Sequence, residues 1–346
     1  MWWIYPVYAF DLVLMVFLSI ELGNLVDALD KKTKISGAFI GGVLLAAVTS
    51  LPELFTAFSS LLLVHNASFV VGDILGSIIF DLVVLALETF IWIKHFGEAK
   101  FQKWHIFNGL FCLAMYGLAA YAFFAPKEWQ LMLGDINAVS ILILALYIVS
   151  LVIQPKESEE DDNDGEKDHS RMSTWSLKKI GWIFAGCSIL LIGSSIALTY
   201  LTQLIQNEIP ALSSSVAGAL LLGIGTSIPE IISTAQLFHK KNYDAGFGNM
   251  IGSCTFDFGI LAFADLVSWH QMDAGLNNVI ERGIFIAESD AIQFEIAGLA
   301  VCAAVIVFCL LRSFTKLFQN KKILGYVISG ILAAGCLSAY LLVFIL

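Results

Sequence analysis

The sequence predicts an all-α polytopic membrane protein: ten transmembrane helices in two inverted five-helix repeats, with helices 2, 3, 7 and 8 broken. Three observations predict it. The first is composition. Of 346 residues, 58% are hydrophobic and 14% charged, with a mean hydropathy of +0.82, whereas roughly 25% of residues are charged in a soluble domain. The second is a series of ten apolar runs, and the third is a motif written twice, once in each half of the chain.

An apolar helix needs about 20 residues to cross about 30 Å of hydrocarbon. Runs of that kind occupy 4–26, 35–64, 68–93, 104–125, 134–153, 177–202, 210–238, 245–269, 291–312 and 323–345. The first run carries no signal-peptide features and is interrupted by Asp11 and Glu21, so it reads as a retained helix. Cytoplasmic loops hold an excess of Lys and Arg. With the N-terminus outside, all but Lys127 and Arg282 of the 19 basic residues fall in inner loops. Both termini are then outside, in a cell (inner) membrane, and the central loop is cytoplasmic.

Five spans precede that loop and five follow it, and an odd number forces the second half to enter the membrane upside down. The expected units are a first repeat at 1–153, an acidic linker at 154–176 and a second, inverted repeat at 177–346. The linker holds eight acidic side chains between Glu157 and Asp168, a composition that stays solvated and extended. It accounts for much of the net charge of −10. No nucleic-acid partner is implied; the partners are the lipid bilayer and inorganic cations. The six cysteines are scattered through apolar runs without zinc or redox spacing and read as small core residues.

The duplicated motif carries the chemistry. Thr49-Ser50-Leu51-Pro52-Glu53 returns as Thr226-Ser227-Ile228-Pro229-Glu230, 177 residues later. Gly72-Asp73-Ile74-Leu75-Gly76-Ser77 and Asp81 return as Gly248-Asn249-Met250-Ile251-Gly252-Ser253 and Asp257, 176 residues later. Proline removes a backbone donor and disfavours helix in the residue before it. Pro52 and Pro229 should therefore split their helices and free carbonyls at membrane depth, where bare carbonyls survive only if buried in protein or lining a wet cavity. Thr49, Ser50, Thr226 and Ser227 add hydroxyls at the break, and Glu53 and Glu230 add carboxylates. Gly76-Ser77 and Gly252-Ser253 allow close approach, and Asp81 and Asp257 lie four residues beyond the serines, on the same helix face.

The expected result is a midplane cluster of Glu53, Asp81, Glu230 and Asp257. Ser and Gly also pack ordinary transmembrane interfaces, but four buried carboxylates are too costly to keep without cations or protons. An all-oxygen set suits hard cations such as Ca²⁺ or Na⁺. One divalent ion against four carboxylates leaves two negative charges, so the site holds Ca²⁺ or several smaller charges, and exchange follows from that competition. The expectation is a secondary active antiporter with no cofactor and no enzymatic activity, for which one chain suffices. Coupling to H⁺, transport of Mg²⁺ or Mn²⁺, and a passive cation channel are the alternatives.

The paired motifs and the five-plus-five layout resemble the cation/calcium exchanger superfamily, in particular its sodium/calcium exchanger branch, over residues 41–90 and 218–266. The resemblance implies transported Ca²⁺ and Na⁺ (or H⁺). It also implies a ligand set of Glu53, Glu230, Asp81 and Asp257, the hydroxyls of Thr49, Ser50, Thr226, Ser227, Ser77 and Ser253, and the carbonyls of Ala46 and Gly223. Residues 4–26 and 177–202 would slide against the rest. The chain departs from that family's pattern in having Ile78 and Cys254 after the Gly-Ser pairs, Asp73 where Asn is usual, and Asp81 where prokaryotic members often have Asn. These changes make the site more acidic and poorer in amides.

Overall fold

The computed structural model describes residues 2–30, 32, 49–93, 103–133, 136–153, 174–209, 211–239, 241–273, 284–286, 290–314 and 322–343. Almost all of them are helical. The helices are α1 (Ile4–Asp30), α2 (Leu51–Leu62), α3 (Ala67–Ile91), α4 (Lys103–Phe124), α5 (Ala138–Ile153) and α6 (Leu177–Glu208). A composite α7 follows, made of Ser214–Ala217, a π-helical Gly218–Gly223 and Ile224–His239. The chain continues with α8 (Tyr243–Asp273), α9 (Asp290–Phe314) and α10 (Lys322–Val343). A short antiparallel hairpin, β1 (Met132–Leu133) with β2 (Ile136–Asn137), precedes α5. Side-chain caps fix several helix starts: Asn66 accepts from Phe69 N, Ser176 from Lys179 N and Ser213 from Val216 N.

Seven of these elements contain stretches long and apolar enough to cross a membrane, and α2, α5 and Glu295–Leu311 of α9 are shorter apolar helices. The chain is a multi-pass membrane protein. Apolar side chains such as Phe10 on α1, Val152 on α5 and Trp182 on α6 face outward, as lipid requires, whereas α3 and α8 are buried in the middle of the bundle. A helix apolar on every face, like α3, belongs in such a position.

The packing partners pair up between halves. α3 lies against α2, α7, α9 and α10, while α8 lies against α7, α2, α4 and α5. α1 packs on α6; α1 also meets α7 as α6 meets α2, and α4 meets α5 as α9 meets α10. Each of these contacts maps onto another, or onto itself, when every helix is exchanged for the one five places along.

The predicted breaks are only partly present. Helix 2 behaves as expected: Ser50 has non-helical dihedrals, α2 starts at Leu51, and Pro52 falls in its first turn, where the missing N–H matters least. The portion of that span before Thr49 lies outside the described residues, as does the acidic linker from 154 to 173. Helices 3 and 8 are not broken. α3 runs continuously through Gly72–Asp81 and α8 through Gly248–Asp257, because glycine and serine thin a helix surface without removing any backbone donor. Helix 7 does not break at its proline either, since Pro229 lies inside Ile224–His239. Its irregularity comes earlier, in the π-helical wide turn Gly218–Gly223.

That π turn sits directly on α3. A Cβ added at Gly72 would come 2.0 Å from the Ser215 carbonyl oxygen, and one at Gly76 would come 2.5 Å from Ala219 Cα. The reverse holds at Gly218, 2.6 Å from Phe69 O, and at Gly223, 2.9 Å from Asp73 O. Backbone meets backbone along this seam. Gly72→Ala is therefore expected to destabilise the protein by about 1–3 kcal/mol, the usual range for overpacking. Gly117→Ala, where an added Cβ meets nothing within 4 Å, should leave the melting temperature unchanged or higher. Thermal unfolding of the two purified variants checks this.

Candidate cation site

The start of α2 and the middle of α7 bring the two copies of the first motif into the bundle, and α3 and α8 bring the two copies of the second. Glu53 and Glu230 are each 1% exposed, and Asp81 and Asp257 are fully buried. Four helices thus each deliver one carboxylate to the interior. Thr49, Ser50, Ser77, Thr226, Ser227 and Ser253 are buried as well. Ala46 lies outside the described residues.

The hydroxyls tie one half of the chain to the other. Ser50 Oγ donates to Glu230 Oε1 at 3.1 Å and lies 3.3 Å from Ser253 Oγ. Ser77 Oγ donates to the Gly223 carbonyl at 3.2 Å and lies 3.5 Å from Thr226 Oγ1. Thr226 in turn bonds back to Leu222 O at 3.1 Å and stands beside Glu53. Each half therefore supplies hydroxyl groups next to the other half's acids or carbonyls, although the two motifs are far apart in sequence.

The acids are not satisfied by these contacts. Glu53 Oε2, Glu230 Oε2 and both oxygens of Asp81 and of Asp257 are buried without a hydrogen bond, as is Ser227 Oγ. Ser253 faces Asp81, yet neither Asp81 oxygen has a partner at hydrogen-bonding distance. Glu53, Asp81 and Asp257 also act electrostatically on Glu230. Like charges at low dielectric repel strongly, and each lone buried charge carries a desolvation penalty of several kcal/mol. Positive charge among these oxygens, as cations or protons, would relieve that penalty. Among the described residues, no three His, Cys, Asp or Glu side chains converge closely enough to grip one metal ion. The acids stand around the site on separate helices instead of closing on one point.

Four buried acids outside the predicted set have partners that sequence spacing does not reveal. Asp73 Oδ2 lies 2.6 Å from Thr56 Oγ1, and Asp73 bears electrostatically on Asp257. Its position within the duplicated motif is the one sequence signal that marks it. Asp11 on α1 accepts from Ser194 on α6 at 2.7 Å, and Glu295 on α9 accepts from Ser215 at the start of α7 at 2.7 Å. Asp265 is different in kind. Ser140 and the Ile284 amide both donate to it, so it serves as a tie between α8, α5 and the segment before α9.

The family model described as sodium/calcium exchanger protein matches residues 5–155 and 179–346, and the chain belongs to that family of ion exchangers; it is not an enzyme. It is 27% identical over 230 residues to Uncharacterized membrane protein MJ0091 of Methanocaldococcus jannaschii, an alignment covering 65% of this chain and 68% of the relative. Three solved structures share its fold. The structure of the H⁺/Ca²⁺ exchanger CAX superposes with a TM-score of 0.61 at 11% identity, covering 97% of this chain and 88% of that one. Native YfkE gives 0.59 at 16% identity, with 99% and 91% covered. The sodium-calcium exchanger NCX_Mj gives 0.56 at 19% identity, with 98% of each chain covered.

Ser50 reaches both Glu230 and Ser253. Ser50→Ala removes one donor from a buried carboxylate, worth about 1–3 kcal/mol. The expected outcome is an apparent cation affinity about 5- to 150-fold weaker, with an unchanged fold, measured by the shift in melting temperature on adding Ca²⁺.

Proposed function

We propose that this chain is a secondary active antiporter exchanging Ca²⁺ for a monovalent cation, with Na⁺ the favoured counter-ion. Its ions bind among Glu53, Asp81, Glu230 and Asp257, with oxygen contributions from Thr49, Ser50, Ser77, Thr226, Ser227, Ser253 and the carbonyls of Ala46 and Gly223. One observation carries this reading: carboxylates from both halves of the chain are buried with oxygens that lack hydrogen-bond partners, and they act on one another electrostatically. Ca²⁺ neutralises two of the four charges, and monovalent ions or protons neutralise the others one by one. Two cargoes that compete for the same oxygens are exchanged instead of carried together.

The proposed architecture is ten helices in two inverted repeats, 1–153 and 177–346, joined by the linker 154–176. The exchange of packing partners between halves supports it, and repeats inverted about a midplane site are a common basis for alternating access. α1 and α6, which pack on each other, are the pair that slides. Termini outside and a cytoplasmic linker in the cell membrane follow from the basic residues. All proposed ligands come from one chain, so a monomer suffices.

A second reading, H⁺ as counter-ion, is favoured by one feature: Asp81 is an acid whose two oxygens both lack partners, so it accepts a proton as readily as a metal ion. The two structural relatives NCX_Mj and CAX are named for Na⁺ and H⁺ respectively, and the fold accommodates either.

Ca²⁺ uptake into proteoliposomes separates these readings. Uptake should follow an imposed Na⁺ gradient at constant pH and be indifferent to a pH gradient at constant Na⁺; the opposite result assigns H⁺. Glu53→Gln and Glu230→Gln should each abolish uptake while preserving the melting temperature. Wild-type uptake in either variant would sink the assignment.

A further inference from the structure

We infer that Tyr8 is a positioning residue for exchange: its hydroxyl ties α1 to the π turn of α7, so that the placement of the Gly223 carbonyl and of Thr226 depends on where α1 stands. This role rests on the exchange reading, in which Gly223 and Thr226 are ligands and α1 slides.

Tyr8 lies in the second turn of α1, close to the aromatic cluster that starts the chain. Trp2, Trp3 and Tyr5 are exposed, as aromatic side chains at a membrane interface usually are. Tyr8 is partly buried and turns inward instead, and its Oη donates to the Leu221 carbonyl at 2.5 Å. Leu221 belongs to the π-helical Gly218–Gly223. One turn further along α1, on the same face, Leu12 is seated where Gly225 leaves room: a Cβ added at Gly225 would come 2.5 Å from Leu12 Cδ2. The two contacts bracket Gly223, and Thr226 directly follows the second.

The turn is thus gripped from two sides by contacts of different kinds. Against α3 the seam is backbone on backbone at Gly72 and Gly76, and Ser77 Oγ donates to the Gly223 carbonyl at 3.2 Å. Against α1 it is one hydroxyl and one leucine. Helix shifts of about 1–2 Å are typical of switching transitions, and such a shift of α1 carries the Tyr8 hydroxyl beyond hydrogen-bonding range of Leu221. A π turn departs from the regular helical ladder, and such turns are frequent at functional sites. Here one carbonyl of the turn is held by a helix read as mobile.

The tie belongs to one half only. At the offsets of the two motifs, 176 and 177 residues, Tyr8 corresponds to Phe184 or Ala185, so α6 has no hydroxyl at the matching place.

Ca²⁺ uptake by proteoliposomes containing Y8F tests the role, because phenylalanine keeps the ring and loses only the donor. The half-saturating Ca²⁺ concentration should rise about 2- to 10-fold, the loss of one neutral hydrogen bond, with the maximal rate and the melting temperature as in wild type. Y5F, which removes an exposed hydroxyl from the same end of α1, should change none of the three. An unchanged half-saturating concentration in Y8F, an equal rise in Y5F, or a Y8F protein that melts earlier or fails to fold would each overturn the inference and leave Tyr8 a packing residue. Uptake that survives in E53Q would instead overturn the reading of the site on which this role rests.

Discussion

The structure depends on the cost of keeping carboxylates inside a membrane bundle. Glu53, Asp81, Glu230 and Asp257 are buried to within a per cent, and most of their oxygens face no donor. A carboxylate in that position stays ionised only beside positive charge. Other features of the bundle serve this constraint. The hydroxyls are placed across the repeats, so that donors from one half soften the acids of the other, and the tight α3–α7 seam holds Ser77 within reach of Gly223 and Thr226.

The seam also shows how a rigid frame and an irregular backbone coexist. α3 is an unbroken helix, and its glycines let the π turn of α7 press onto it without side chains between them. The irregularity sits in Gly218–Gly223, just ahead of the Thr226–Glu230 motif, and the proline is absorbed inside the helix that follows. Because the π turn is backed by continuous helix, the carbonyl of Gly223 is fixed and not frayed. There it accepts from Ser77 Oγ at 3.2 Å and from Thr226 Oγ1 at 3.4 Å.

Much of this is legible in the sequence because the motif occurs twice. Duplication singles out Thr49–Glu53 and Thr226–Glu230, and the spacing from Ser77 to Asp81 puts both side chains on one helix face. The breaks are misread for a physical reason. Pro229 states that a donor is missing but not where the helix absorbs the loss, and Gly-Ser pairs thin a helix as readily as they interrupt it. The partners of Asp11 and Glu295 are unreadable because Ser194 and Ser215 lie 183 and 80 residues away, and no local pattern encodes such a meeting. Asp73 falls between these cases. Its alignment with Asn249 marks the position, yet its bond with Thr56, 17 residues away on the neighbouring helix, is visible only in the structure.

If the four acids share one set of oxygens among competing ions, that competition is visible in binding without any transport. Calorimetric titration of the purified protein with Ca²⁺ at rising fixed Na⁺, and separately at falling pH, measures it. The expected result is a Ca²⁺ affinity that falls steadily as Na⁺ rises while the number of Ca²⁺ sites stays constant. Ca²⁺ binding that is indifferent to both Na⁺ and H⁺ would contradict a shared site.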